Sequence, residues 1–332
     1  MLEPIRYTQY DLNAAKILDD FLPDKIFDAH AHFYDGNFMQ DMYKGRTPES
    51  ILPNDYRRDM GPLLSGRQVD FNMITWPDRS MGDPSTGTMV LADQFLVEQL
   101  NKEKTSVGEI LVVPGETADH IEKRLVHDRI CGFKCYHFMS SLKASFQAEI
   151  GDYLPESAWE IADKRGLCIT LHMVRDSALA DPANLRYIQT MARRYPNAVL
   201  ILAHAARAFA SWTGVETVEQ LADYDNVWFD ISAVCESPAI FQILNKIGTQ
   251  RIMWGSDYDV SRLRGKAISL GDSFYWIYEQ DLDMFESKTT LSFGLIGTEN
   301  LMASRQACIM AGLTQDEVEC VFYRNAYNLF CR

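Results

Sequence analysis

The sequence contains no uninterrupted apolar run of the roughly 18 to 20 residues that a membrane-crossing helix needs. Its seven cysteines include no C-x-x-C pair, which removes the common redox and zinc-ribbon motifs. Neither G-x-G-x-x-G nor a P-loop occurs, so the usual nucleotide-binding folds find no support. Positive charge is scarce: 32 Lys and Arg stand against 46 Asp and Glu, a net charge of -14. An acidic surface repels phosphate backbones, so neither nucleic acid nor an anionic membrane is an expected partner. The first residues lack the basic, apolar, small-residue order of a signal peptide. With scattered, unpaired cysteines, the expectation is buried, reduced thiols in a cytoplasmic protein.

What is present is ample core material, 47% hydrophobic against 23% charged residues in a chain of 332. A unit recurs along it: a short apolar run, a polar turn, then an amphipathic stretch. The apolar runs begin at Lys25, Val69, Glu109, Gly132, Leu167, Ala198, Val227 and Arg251. Helical patterns such as 155–165, 182–195 and 238–247 separate them. Strand and helix alternating eight times predict an α/β fold, a distorted (β/α)8 TIM barrel, over a doubly wound open sheet. Residues 1–24 read as an N-terminal helical extension and 25–332 as the barrel domain. Long insertions follow strand 1 (33–67) and strand 8 (258–300). Both leave the C-terminal end of a strand, so both belong to the active face of a barrel, as lids or as contacts in a homo-oligomer. Thr314, with an acidic turn after it, opens a closing helix.

Four of the seven histidines end predicted strands. His30 and His32 are two residues apart, so a strand points both imidazoles to one side. His172 ends the fifth strand, His204 the sixth, and Asp257 the eighth. A closed barrel brings all five to its C-terminal mouth. A lone histidine at a strand end is usually an ordinary polar residue, and an Asp after Gly-Ser is usually a turn cap. Five such residues at equivalent ends of an eightfold pattern argue for a metal centre. Imidazoles with a carboxylate suit zinc, manganese or iron(II). His120 and His127 read as surface residues, and His137 as a neighbour of the mouth.

The runs Phe27-Asp28-Ala29-His30-Ala31-His32, Gly132-Phe133-Lys134, Leu171-His172, Leu202-Ala203-His204 and Gly255-Ser256-Asp257-Tyr258, with the closing segment 322–330, occur in this order. Together they resemble the amidohydrolase superfamily, in particular the amidohydrolase-2 branch related to aminocarboxymuconate semialdehyde decarboxylase. The resemblance implies that His30, His32, His172 and Asp257 bind one divalent metal ion, zinc first and manganese or iron(II) as alternatives. It implies that His204 acts beside the metal on substrate or water. Lys134 stands where binuclear relatives carry a carboxylated bridging lysine; sites in this branch are usually mononuclear, and Lys134 is left out of the ligand set. The sequence departs from the branch after Tyr258, where proline is common, and in its long final insertion.

Arg207, three residues after His204, is the candidate clamp for a substrate carboxylate, with a helix-start salt bridge as its ordinary alternative. Arg175, Trp76, Arg79 and Arg262 follow other strands and are further candidates for substrate contact. The expected activity is metal-dependent hydrolysis of a small carboxylated amide, ester or lactone. Asp257 would act as ligand and base, and His204 would hold or polarise the carbonyl oxygen. Decarboxylation of an unsaturated or aromatic acid is the alternative. A silent binding or assembly barrel is the third, against which the intact His and Asp set stands.

Overall fold

The computed structural model describes residues 2–41, 49–215, 217–284 and 292–331. Eight parallel strands form one sheet in sequential order: β1 (Lys25–His32), β2 (Gln68–Ile74), β3 (Val107–Leu111), β4 (Ile130–Cys135), β5 (Cys168–Leu171), β6 (Val199–Leu202), β7 (Val227–Asp230) and β8 (Ile252–Met253). Their residues are almost all buried, as strands enclosed between helices must be. The ring closes through main-chain bonds between β1 and the segment leaving β8. Ala29 N donates to Trp254 O (3.1 Å), and Asp257 N donates to His30 O (2.8 Å). The eight predicted runs each become one of these strands, and the fold is a (β/α)8 barrel.

Local chemistry sets the helices between the strands. The helix Pro182–Arg194 starts at Asp181, whose carboxylate accepts the N–H groups of Ala183 and Asn184, and proline fills its first position. The helix Glu156–Arg165 stops at Gly166, whose φ of 67° suits glycine. Near the N-terminus, the helix Gln9–Asp19 is capped by Thr8. Its buried Asp11 accepts from Leu295 N and Thr298 Oγ1, and so docks on the helix Ile296–Met310.

The two mouths of the barrel are built differently. Phe27, Val107, Cys131, Cys168 and Val199, near the starts of their strands, pack with Leu329 and Phe330 of the last helix, Asn325–Phe330. That helix stoppers the N-terminal mouth, its Asn325 amide donating to Thr249 O and Ile252 O. The C-terminal mouth is left for chemistry. The insertion after β1 includes the helix Pro53–Met60, and the one after β8 includes an antiparallel hairpin, β9 (Gly265–Leu270) and β10 (Ser273–Tyr278). Residues 42–48 and 285–291 of these insertions lie outside the described residues. All seven cysteines are free; five are buried as expected, whereas Cys320 is partly exposed and Cys331 exposed.

Candidate active site

β1 carries one residue too many for its partner: Asp28 pairs with Phe71 and Ala31 with Met73. Such a bulge re-aims side chains. The Asn72 amide fills the disturbed ladder by donating to Ala29 O (3.2 Å). Asp28, buried in the same strand, accepts from His30 N (3.1 Å) and Ser256 N (2.9 Å), tying β1 to the loop that carries Asp257. Burial pushes its carboxyl up to about 6.

On this frame His30 Nε2 lies 3.6 Å and His32 Nε2 3.2 Å from Asp257 Oδ1. Two donors bound at roughly 2.1 Å to one tetrahedral ion stand about 3.4 Å apart, so the spacing fits a metal. The tautomers fit too. His30 Nδ1 faces Asp230 Oδ2 (3.0 Å) and His32 Nδ1 faces Ile74 O (3.3 Å). Each Nδ1 therefore carries the hydrogen, and each Nε2 turns a lone pair inward. Burial, helped by nearby Lys134, pushes the His30 imidazole down to about 3, which keeps it neutral. Burial opposes ionisation of Asp257, yet the facing imidazoles of His204, His32 and His30 hold its carboxyl below the usual range. Lys134 Nζ sits 3.2 Å from His30 Nε2, and burial lowers its pKa.

His172 is placed differently from the other expected ligands. It lines the same pocket, but it belongs to neither cluster of closely spaced donor atoms among the described residues. Its Nδ1 meets His204 Nε2 at 3.2 Å. His204 Nδ1 in turn faces Ser232 O at 3.0 Å. A carbonyl can only accept, so neutral His204 carries its hydrogen on Nδ1 and offers a lone pair at Nε2. His172 Nδ1–H donates to that lone pair. Burial lowers the pKa of both rings.

Arg207 reaches the site by an unusual backbone. His204, Ala205, Ala206 and Arg207 have φ values of 57°, 53°, 59° and 61°, one turn of left-handed helix without a glycine. Each such residue costs roughly 1–2 kcal/mol. Asp230 offsets part of this by accepting His204 N–H (3.2 Å) on Oδ1 while Oδ2 holds His30. A helical turn of either hand sets residues three apart on one side, and His204 and Arg207 both line the pocket. The helix start expected here is thus a left-handed turn.

The pocket has a volume of about 280 Å³. Trp76 belongs to it and meets the His32 ring edge-on at 4.9 Å. Arg175 and Arg262 are not among its described lining residues. Arg175 bonds Asp181 (3.1 Å) and Glu149 (3.3 Å). Arg262 bonds Asp59 (3.2 Å) and Glu3 O (2.6 Å). Arg79 lies 5.8 Å from the Phe138 ring centroid, half exposed. Sequence reasoning missed Asp230 and the aromatic lining: Tyr136, Phe146, Phe209, Phe274 and Trp276. Asp230 ends β7 at the level where the other site residues end theirs, a signal that could have found it.

A family model described as amidohydrolase matches residues 27–332. The chain belongs to the amidohydrolase family. This amidohydrolase is 29% identical over 129 residues to an L-fucono-1,5-lactonase of Burkholderia ambifaria, a match over 34% of the chain and 44% of that relative. The match therefore spans less than half of the lactonase. An amidohydrolase of Burkholderia multivorans, solved with bound zinc, superposes with a TM-score of 0.57 at 13% identity, covering 92% of this chain and 99% of that one. The 5-carboxyvanillate decarboxylase of Sphingomonas paucimobilis gives 0.55 at 14%, covering 93% and 99%. At these identities the two structures speak for a shared fold.

Proposed function

We propose that this amidohydrolase is a metal-dependent hydrolase that opens a small carboxylated lactone, ester or amide. The carrying observation is the convergence of His30 Nε2, His32 Nε2 and Asp257 Oδ1, with tautomers that leave both imidazoles as ligands. These three residues would hold one divalent ion, for which zinc is the first choice. When bound, the ion supplies Lewis acidity for the carbonyl oxygen and a lowered pKa for water. Asp257, held ionised, takes the proton of the attacking water and returns it to the leaving group. His204 Nε2, whose lone pair takes the His172 Nδ1–H in this structure, would accept from that water, and so orient it, once the His172 ring turns away. This role replaces the carbonyl contact expected of it, because a neutral ring with its hydrogen on Nδ1 has nothing to donate at Nε2. Arg207 binds the substrate carboxylate through its planar fork. The free thiols suit a reducing compartment, and we place the protein in the cytoplasm.

Decarboxylation of a flat acid is the second reading, favoured by the aromatic lining. Reaction in ¹⁸O-labelled water separates the two. Label in a new product carboxylate, after controls for exchange, supports hydrolysis. Stoichiometric CO₂ with solvent hydrogen on the former carboxyl carbon overturns it.

A further inference from the structure

The hairpin of β9 and β10 stands outside the barrel, yet half of it enters the pocket. Along β10 the side chains alternate. Phe274, Trp276 and Tyr278 line the cavity, while Tyr275 on the other face is 51% exposed. The inner face rests on Phe209, whose ring lies 5.0 Å from Phe274 and 5.1 Å from Trp276. Phe209 stacks at 5.4 Å on His204. The hairpin is therefore packed, through one ring, against His204. It also reaches Arg207, whose guanidinium carbon lies 5.3 Å from the Phe274 centroid and 5.6 Å from that of Phe146.

Among the described lining residues, Arg207 is the single lysine or arginine, and no Ser, Thr, Asn or Gln contributes. The hydrogen-bonding atoms there belong to Arg207, Asp257 and the tips of His, Tyr and Trp rings, and ring faces make up most of the remaining wall, so a substrate with several hydroxyls would lose more water than these groups replace. A flat ring loses little water and gains ring faces.

We propose that the β9–β10 hairpin is the specificity element of this enzyme. Phe274 and Trp276 select a flat, unsaturated ring bearing one carboxylate and reject puckered or polyhydroxylated acids. Phe274 in addition positions Arg207 for that carboxylate. The inference rests on the reading of Arg207 as the carboxylate anchor.

The test is equilibrium binding to the full-length, metal-loaded protein, with three single-carboxylate probes: benzoate, cyclohexanecarboxylate and gluconate. The wild type should bind benzoate about tenfold more tightly than cyclohexanecarboxylate, and gluconate not measurably. Phe274→Leu and Trp276→Leu keep apolar bulk but remove the ring faces, and each should shrink the preference to about twofold. Tyr275→Ala, on the outer face, should leave it intact. Metal content and melting temperature, measured alongside, identify the variants that are folded. Equal binding of the two ring acids by the wild type, tight gluconate binding, or a preference that survives in both Leu variants overturns the proposal. No turnover is needed, so the hydrolytic reading fails separately. Ring preference without hydrolysis of any carboxylated lactone or ester ends that reading alone. Hydrolysis with the same kcat/KM in the wild type and both Leu variants ends this one alone.

Discussion

His30, His32 and Asp257 are fixed by buried hydrogen bonds from the strands and loops of the barrel, whereas Phe274, Trp276 and Tyr278 hang from a hairpin added after it. On the first side nearly every polar atom has an assigned partner: Asp28 for two main-chain N–H groups, Asp230 for His30, Ile74 O for His32. On the second side the contacts are ring against ring. Hydrogen bonds fix direction, which donor atoms need. Ring contacts fix shape and tolerate sliding, which suits selection of a substrate outline. The difference predicts that chemistry and selectivity can be damaged independently.

The sharpest break comes on the polar side. Asp257→Ala or His30→Ala should lose most of about one bound equivalent of metal in elemental analysis, with activity falling to background. Two tightly bound ions in the wild type would instead bring Lys134 in as a ligand. Next, His204→Asn should keep the metal and lose roughly 10² to 10⁴ in kcat; loss of metal would make His204 a ligand. Arg207→Ala should cost on the order of 2 kcal/mol or more in kcat/KM for a carboxylated substrate, with metal content unchanged. An unaltered kcat/KM would leave Arg207 a structural residue. Asp230→Asn keeps the shape but removes the charge behind His30, and metal affinity should drop roughly 10- to 100-fold in a competition titration. The mildest change belongs to the aromatic side. Gly271, at φ 62° in the hairpin turn, has open space around an added Cβ. Gly271→Ala should therefore cost about 1 kcal/mol of stability through backbone strain alone, read by denaturant titration, with metal content untouched.

How much of this was legible in the sequence follows the same division. The eight strands were readable because parallel strands buried on both faces are apolar over most of their length. The strand-end histidines were readable because a period of two and a common barrel mouth set their direction. The turn of the His172 ring was not, since it depends on His204, 32 residues further on. Arg175 and Arg262 looked like substrate contacts because nothing local announces Asp181 or Asp59 as their partners. The left-handed turn was hidden by Ala205 and Ala206, which ordinarily favour a right-handed helix. The hairpin had a usable signal that went unread: Gly271-Asp272 between two short runs is a two-residue turn, and Phe274, Trp276 and Tyr278 alternate after it.

The seam between β1 and the segment after β8 has a consequence for how the molecule comes together. The groups that close the ring, His30 O with Asp257 N and Ala29 N with Trp254 O, belong to or adjoin the residues that gather the donor atoms. They are separated by more than two thirds of the chain. A growing or partly refolded chain, however much of its sheet has formed, holds two halves of a site and no site. At the proposed site, uptake of an ion would mark the end of folding, and a bound ion would resist the first parting of the ring by mass action. Stripping it should lower the unfolding temperature even if no strand moves.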